Sequence, residues 1–197
     1  MLYELAHFLQ NSLKPVWALA ESVNAWLFQI RYNKRLRQIP AIISAYPGVE
    51  RVGQGDVAAL TAFFASQPAW VYIDFRPHGF DAASVAKLVK NRSKLMFVVR
   101  EQGQIIGYFF LRSFFIGKTY LGKMVDAQRQ SEGIGQMMCS CAMDIASALG
   151  LRMFESISKD NIASITASQK VLETRVIKEL GNGYLFLEDI RKKPVCG

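Results

Sequence analysis

The spacing of apolar residues predicts an amphipathic helix near the start of the chain. Apolar side chains recur there every three or four residues, at Val16, Leu19, Ala20, Val23, Leu27 and Ile30. This period is that of an α-helix, and Pro15 suits a first helical turn. A basic cluster follows between Arg31 and Arg37, and Pro40 ends the pattern. We therefore expect one long amphipathic helix over residues 15–37.

After Gly48, short strand-like and helix-like runs alternate. Runs rich in β-branched and aromatic residues predict strands at 49–52, 95–100, 104–111, 118–126, 151–157, 174–180 and 183–190. Helical spacing predicts helices at 56–64, 81–90, 134–149 and 161–172. Residues 70–80 are typical of a loop or a short extended piece. Glu101-Gln102-Gly103 and Gly181-Asn182-Gly183 are typical of hairpin turns.

The order of these elements predicts an α+β protein with a mixed central sheet flanked by helices. The strands at 118–126 and 151–157 are separated by a helix, so they should lie parallel and be joined by a right-handed crossover. The 197 residues, of which 51% are hydrophobic, suffice for one well-filled core. We expect an N-terminal helical extension at 1–46 and one domain at 47–197.

The formal net charge of +8 would suit a nucleic acid, a membrane surface or an anionic small ligand. Lys and Arg are spread along the chain, without the basic stripe, helix-turn-helix spacing or zinc-finger spacing of nucleic-acid-binding proteins. Nucleic acid is therefore disfavoured as a partner. Cys139, Cys141 and Cys196 form neither a disulfide framework nor a metal-ligand pattern, so we expect a reducing compartment and no metal.

The sequence also bears on location. The N-terminus lacks the basic, apolar and small-residue regions of a signal peptide, and the longest uncharged stretch, 57–73, suits a membrane span poorly. We expect a cytoplasmic protein. Trp17, Trp26 and Phe28 beside the basic cluster would suit contact of residues 15–37 with the inner face of an anionic membrane. The favoured interpretation is packing on the chain's own domain or on a partner subunit, such as a homodimer.

A glycine-containing turn joins the strand at 118–126 to the helix at 134–149. Gly133 and Gly135 let the backbone approach a ligand, and the start of the helix leaves several N–H groups unpaired. Such a helix end attracts phosphate, and Arg129 beside it adds a positive charge. The third glycine of a dinucleotide-binding fingerprint is absent because residue 138 is Met, and no Gly-Lys-Ser/Thr of a Walker motif lies in this turn.

Within residues 125–135, this turn resembles motif A of the GNAT superfamily of acyltransferases, Gln/Arg-x-x-Gly-x-Gly/Ala. The matching residues are Gln130, Gly133 and Gly135. Further along, residues 161–165, Asn-Ile-Ala-Ser-Ile, resemble the family's Asn-x-x-Ser/Ala-Ile helix start. The two motifs agree with the family in order and spacing.

The resemblance covers 49–190 in the order of elements and 118–171 in motif detail. It implies a sheet splayed between its fourth and fifth strands, with acetyl-CoA or another acyl-CoA as co-substrate. Pantetheine would pair with the backbone of Met124 and Val125, and Asn161 would face the cofactor. The amides that would hold the pyrophosphate belong to Arg129, Gln130, Ser131, Glu132, Gly133, Ile134 and Gly135.

The catalytic groups that the resemblance implies are incomplete. Many family members use a Glu of the fourth strand as base, yet no Asp, Glu or His lies between Glu101 and Asp126. Candidate bases elsewhere are Asp126, Glu155, Asp74 and His78. The family's general-acid Tyr, seven residues after the helix-starting Asn, is replaced by Ser168, for which Tyr184 is a substitute. The two cysteines on the predicted helix are poor nucleophiles, which favours direct transfer.

Three functions stay open at this point. The leading one is an N-acetyltransferase, or a transferase of another short acyl group, that acts on a primary amine of a small molecule or a protein. The missing Glu and Tyr also permit a module that binds acyl-CoA without turnover. The N-terminal helix permits a protein that works at a membrane surface.

Overall fold

A seven-stranded mixed sheet lies at the centre of the protein, in a computed structural model that describes residues 14–181 and 183–192. The helices are α1 (Lys14–Leu36), α2 (Ile39–Ile43), α3 (Val57–Ser66), α4 (Val71–Asp74), α5 (Ala82–Lys90), α6 (Ile134–Leu149) and α7 (Ile162–Val171). The strands are β1 (Val49–Arg51), β2 (Lys94–Glu101), β3 (Gln104–Phe114), β4 (Lys118–Val125), β5 (Arg152–Ser158), β6 (Leu172–Glu179) and β7 (Tyr184–Arg191). The predicted strands are all present.

The strand order is β1-β2-β3-β4-β5-β7-β6. All neighbouring strands are antiparallel except β4 and β5, which are parallel. These two strands pair only through Lys118 with Arg152, Thr119 with Met153 and Tyr120 with Phe154. Beyond those pairs they separate, so the sheet is splayed at its centre and the predicted fold class is confirmed.

Apolar side chains fill a separate core on each face of the sheet. On one face, α1, α2 and α6 pack against the strands, with α6 contributing its buried residues from Ile134 to Leu149. On the other face, α3 and α5 pack around Phe64 and Tyr108. α7 lies beside α6, so the two helices that follow β4 and β5 stand together next to the splay.

Two short helices were not predicted. Pro40 was expected to end helical structure, but it lies in the first turn of α2, where its missing N–H costs nothing. Residues 71–74 form α4 within the segment that was predicted as a loop. The hairpin prediction at 181–183 includes Asn182, which lies outside the described residues, as does Cys196.

The predicted N-terminal helix is confirmed as α1, and its packed face carries Phe28, Tyr32 and Leu36, all buried. Arg35 reinforces this contact because its Nη1 donates to the carbonyl oxygen of Leu149, the last residue of α6, at 2.7 Å. Most of the apolar residues that predicted the helix lie instead on its outer side. Within the described ranges, no helix is both long and apolar enough to cross a membrane.

Gly48 allows a close approach between the chain before β1 and the edge of β2. Its φ is +71°, and a Cβ there would lie 2.2 Å from the carbonyl oxygen of Arg100. Gly103 has a similar φ of +81° but open space around it. We expect Gly103→Ala to cost about 1 kcal/mol of stability and Gly48→Ala about 3 kcal/mol, because only the latter forces the backbone to move. Urea unfolding of both variants checks this, and equal losses would contradict it.

Candidate functional site

A cleft of about 1650 Å³ opens where β4 and β5 separate. Its walls include the unpaired edges of the two strands, residues 121–125 of β4 and 155–158 of β5. The turn before α6, the start of α7 and residues 70–77 around α4 also line it. Because backbone N–H and C=O groups on a free strand edge lack partners, an extended ligand can pair with either wall.

Met124 and Val125, the residues expected to pair with pantetheine, lie at the end of β4. They face Tyr108 and Gly107 of β3 on one side. On the other side they have no paired strand, because the β4–β5 ladder stops at Tyr120. Their backbone therefore borders the cleft as expected.

The predicted turn from Gln130 to Gly135 lies at the end of this free edge. Ser131 and Gly133 have positive φ angles, 68° and 84°, and Gly133 caps α6. In the part of the chain that the structure describes, the backbone N–H groups from Gln130 to Gln136 have no hydrogen-bond acceptor. These N–H groups, at the positive end of the α6 dipole, form a site for an anion.

Gly135 lies where α6, α7 and β4 meet. A Cβ on Gly135 would stand 3.4 Å from the Ala167 Cβ and 3.7 Å from the Val125 Cγ2. A methyl group would just fit, whereas a larger side chain would push the helices apart. The glycine in this position therefore keeps the turn close to the end of β4.

Arg129 was expected to add a positive charge beside the turn, and the structure places it in two ion pairs. Its Nε lies 2.8 Å from one Glu132 carboxylate oxygen, and its Nη1 lies 2.7 Å from Glu101 Oε2. Hydrogen bonds from Arg129 hold the pKa of Glu132 below its usual range. Because ion pairs exposed to water contribute only about 0–1 kcal/mol, a bound anion can compete for Arg129.

Asn161 caps α7 and lines the cleft, as the resemblance implied. Its Oδ1 accepts a hydrogen bond from the Ser164 N–H at 3.0 Å. The Nδ2 group keeps two donors for which no acceptor is found among residues 14–181 and 183–192. Asn161 can therefore donate to a ligand while it still caps the helix.

A buried polar cluster, formed by Lys123, Glu155, Ser168 and Asp189, lies at the floor of the cleft. The Lys123 Nζ donates to Glu155 Oε2 at 2.7 Å and to Ser168 Oγ at 3.0 Å. The side chains of Lys123 and Glu155 are only 8% and 3% exposed. Burial lowers the pKa of Lys123, but the Glu155 carboxylate outweighs it and raises the pKa above its usual value. Lys123 therefore keeps its charge inside the protein.

Asp189 completes this cluster from β7. Its two carboxyl oxygens and Glu155 Oε1 are buried without a hydrogen-bond donor in the described structure. Burial, followed by the negative charge of Glu155, raises the pKa of Asp189 to about 8. A proton held between the two carboxyl groups satisfies one oxygen of each, so the cluster carries one bound proton near neutral pH.

This proton makes stability depend on pH. Because the pKa of Asp189 is raised in the folded protein, its contribution to stability is full below the unfolded value of 3.8 and is lost as pH rises through about 8. Asp189→Asn removes that loss. We expect the variant to match the parent near pH 4 and to be more stable than the parent at pH 9. Thermal unfolding across this range tests the prediction, and a stability difference that shrinks with rising pH would contradict it.

The remaining candidates are dispersed. Tyr184 lines the cleft, and its hydroxyl donates to Asp74 Oδ1 at 3.3 Å. Asp126 lies outside the cleft lining and accepts from the Gln128 N–H in its own turn. His78 also lies outside it, packed among aromatic rings with its Nε2 3.0 Å from the Tyr108 hydroxyl. Burial lowers the pKa of His78, which keeps it neutral.

The cysteines of α6 are both buried. Burial raises the pKa of the Cys139 thiol, and it raises that of Cys141 to about 12. The Cys139 Sγ lies 3.6 Å from Ser168 Oγ, beside the polar cluster. A thiol held protonated is a weak nucleophile, which supports direct transfer rather than an acyl-cysteine.

Lys123 and Asp189 were missed in the sequence. Lys123 lies on the same face of β4 as the buried Leu121, and Asp189 lies on the same face of β7 as the buried Leu187. A charge on the inward side of an apolar strand has to find a buried partner. That pattern was visible, although the partner was not.

No protein-family model and no curated protein matches this sequence, whereas many solved structures match its fold. The GNAT domain of S. lividans PAT superposes with a TM-score of 0.62 at 13% identity, over 72% of this chain and 89% of that chain. Ribosomal-protein-S5-alanine acetyltransferase from Vibrio fischeri gives 0.60 at 15% identity, over 74% and 93%. Aminoglycoside acetyltransferase AAC(6')-Ib, solved with coenzyme A and kanamycin, gives 0.58 at 13% identity, over 73% and 94%.

These likenesses establish a fold class. The chain has the GNAT fold, with the open β4–β5 splay and the helices beside it. The resemblance to the GNAT superfamily predicted this fold, and the fold is confirmed.

Proposed function

We propose that the protein transfers an acyl group from acyl-CoA to a primary amine. The observation that carries this proposal is the continuity of the free β4 edge with the unpaired N–H groups before α6. An extended chain of amides can pair with the free β4 edge, and a pyrophosphate can accept hydrogen bonds from the N–H groups before α6. CoA contains these parts in the same order. Neighbouring structures solved with CoA support the same ligand.

In this proposal Met124 and Val125 pair with pantetheine, and the amides of residues 129–135 hold the pyrophosphate. The free Nδ2 of Asn161 donates to the cofactor arm. Arg129 turns from Glu132 toward a phosphate oxygen, since the two groups compete for the same guanidinium.

Lys123 is the proposed donor at the thioester. An ammonium group has three N–H donors. Lys123 uses one of them for Glu155 and a second for Ser168. No acceptor for the third is found among the described residues, and Lys123 lines the cleft. A positive charge in this position stabilises the atom on which negative charge develops during acyl transfer. Ser168 then positions Lys123 and does not replace a Tyr acid.

The proposed reaction is a direct attack of the amine on the thioester. The amine nitrogen attacks the thioester carbonyl carbon and forms the C–N bond, and the C–S bond then breaks with its electrons on sulfur. Lys123 stabilises that thiolate by its third N–H. The nitrogen gives up one proton, for which Asp74, a carboxylate of the cleft lining that is held by Tyr184, is the proposed acceptor. Glu155 is occupied by Lys123, and Asp126 by its own turn.

Aromatic side chains and basic groups distinguish the acceptor side of the cleft. The rings of Tyr120 and Phe186 stack there, with centroids 6.1 Å apart, and Trp70 is exposed beside them. Asp74 is outnumbered by basic residues on this side, namely Arg76, Arg112 and Lys178. We propose an amine with an apolar or anionic body rather than a polycation, because like charges repel.

Two measurements test the function. Acetyl-CoA should raise the unfolding temperature, since a ligand at a hundred times its Kd stabilises the fold by about 2.7 kcal/mol. A panel of amines should then include one that releases free thiol from acetyl-CoA. Absence of stabilisation by acetyl-CoA or CoA would overturn the proposal.

A module that binds acyl-CoA without turnover is the second candidate. It is favoured by the absence of any Asp, Glu or His in β4, the strand that borders the thioester. Stabilisation by CoA without thiol release across the whole amine panel would select it. A cytoplasmic location stays a prediction from the sequence.

A further inference from the structure

The outer face of α1 carries a regular row of exposed apolar side chains, which we call the α1 stripe. It consists of Val16 (50% exposed), Leu19 (66%), Val23 (47%), Trp26 (63%) and Ile30 (60%). The intervals between them alternate strictly between three and four residues. That alternation is the seam of a coiled coil, in which side chains of one helix insert between those of another.

The body of the protein holds this helix in place. Phe28 and Tyr32 anchor its opposite face in the core. Asn24 fixes it to the β3–β4 turn, because its Oδ1 accepts from the Phe115 N–H at 3.1 Å. A helix that is packed along one face and lined with apolar residues along the other presents the second face for a further contact.

The β3–β4 turn lies beside α1 and carries two further exposed apolar side chains. Phe115 and Ile116 are 37% and 58% exposed, and Arg31 joins the turn to α1 through the Phe115 carbonyl oxygen. The seven apolar side chains of stripe and turn together expose several hundred Å², close to the about 800 Å² per partner that a standard interface buries.

We infer that the α1 stripe pairs with the α1 stripe of a second copy of this chain. The positions that flank the stripe are uncharged, at Ala20, Ser22, Leu27 and Gln29. Two identical stripes therefore meet without repulsion between like charges, which would arise if these positions carried Lys or Glu. A two-fold axis joins the same patch on both subunits, so one self-complementary stripe suffices.

The charges around α1 argue against a lipid surface as the occupant. A helix that lies on an anionic membrane carries Lys and Arg beside its apolar face. Between Val16 and Ile30 the only charged residue is Glu21, which pairs with Lys94 and Arg112 of its own subunit. In the basic cluster that follows, Arg31 and Arg35 donate to carbonyl oxygens of the same chain, and the exposed Lys34 and Arg37 lie only beyond one end of the stripe.

Light scattering during size-exclusion chromatography tests this inference on the full chain. We expect twice the monomer mass of 22.2 kDa for the parent protein. The variant Leu19→Glu/Trp26→Glu should elute as a monomer, since it places charges in the stripe. Ala18→Glu, an exposed change on α1 outside the stripe, should remain a dimer.

A monomeric parent protein would overturn the inference, and so would a stripe variant that stays dimeric. Flotation with vesicles of anionic phospholipid tests the alternative occupant, a membrane. If the parent is monomeric and floats with the vesicles, and the stripe variant does not float, the stripe binds a membrane. Both variants alter exposed side chains, so an unchanged unfolding temperature verifies that they are folded. The result does not depend on acyl-CoA binding.

Discussion

Replacement of Lys123 by methionine will leave acetyl-CoA binding largely intact and lower the rate of acyl transfer by about a hundredfold or more. The reason is that Lys123 offers its third N–H to an atom that gains charge only during the reaction, and loss of one such donor typically costs this much. The measurement is kcat for thiol release with the best amine found, together with the Kd of acetyl-CoA. Lys118→Met, on the same strand, is the matched control and should keep its activity.

Lys123→Met also leaves the Glu155 carboxylate buried without its partner, which threatens folding. The double variant Lys123→Met/Glu155→Leu avoids this because it replaces the ion pair by apolar groups of similar size. Unchanged kcat in either folded variant would exclude the role of Lys123.

The pKa of the thiol of bound CoA can be measured without an acceptor amine. Lys123 should hold the pKa of this thiol below its value in free CoA, because a cation favours the thiolate. Titration of the thiolate absorbance in the complex measures it, and the shift should disappear in the double variant. Failure to form a CoA complex would overturn the proposed function, whereas a complex with an unshifted thiol pKa would exclude only the role of Lys123.

Gly133→Val is expected to weaken acetyl-CoA binding at least tenfold. Gly133 holds a φ of +84°, and a β-branched side chain strains this conformation and turns the neighbouring N–H groups away from the anion site. A loss of about 1.4 kcal/mol in binding already corresponds to a factor of ten. Isothermal titration with acetyl-CoA measures the change.

Gly103→Val is the matched control for this change. Gly103 has a φ of +81° and, like Gly133, open space where a side chain would stand, but it lies in the β2–β3 hairpin. Both variants should lose similar stability, and only Gly133→Val should lose affinity. Equal acetyl-CoA affinity in the two variants would show that the turn does not hold the ligand.

The strands and the phosphate turn were predictable because both depend on local sequence. Alternating apolar residues placed each strand within a few residues of its observed bounds, and Gly133 and Gly135 marked a turn whose backbone geometry few other residues permit. Pro40 misled the prediction of α2 for a local reason too, since proline both ends helices and begins them.

The polar cluster and the ion pair of Arg129 with Glu101 could not be predicted, because both depend on contacts between residues far apart in the sequence. Lys123 meets Glu155 where β4 and β5 have already separated, so the register of their three residue pairs does not join these side chains. Arg129 was expected to add a positive charge beside the turn, and the sequence did not show that Glu101, at the end of β2, pairs with it. Such pairs exist only once the chain has folded, and the spacing of residues along the sequence carries no trace of them.

The splay between β4 and β5 also bears on aggregation. An unpaired strand edge can pair with a strand of another molecule. In addition to its two outer edges, this sheet has two inner edges, one on β4 and one on β5, where these strands separate. Its outer edges are guarded, because β1 has only three residues and β6 carries Glu173, Arg175, Lys178 and Glu179. The inner edges face each other inside the cleft, where a foreign strand with its side chains has little access. A narrow chain of amides such as pantetheine can still enter. The cleft can therefore admit a cofactor and at the same time prevent its strand edges from pairing with other molecules in fibrils.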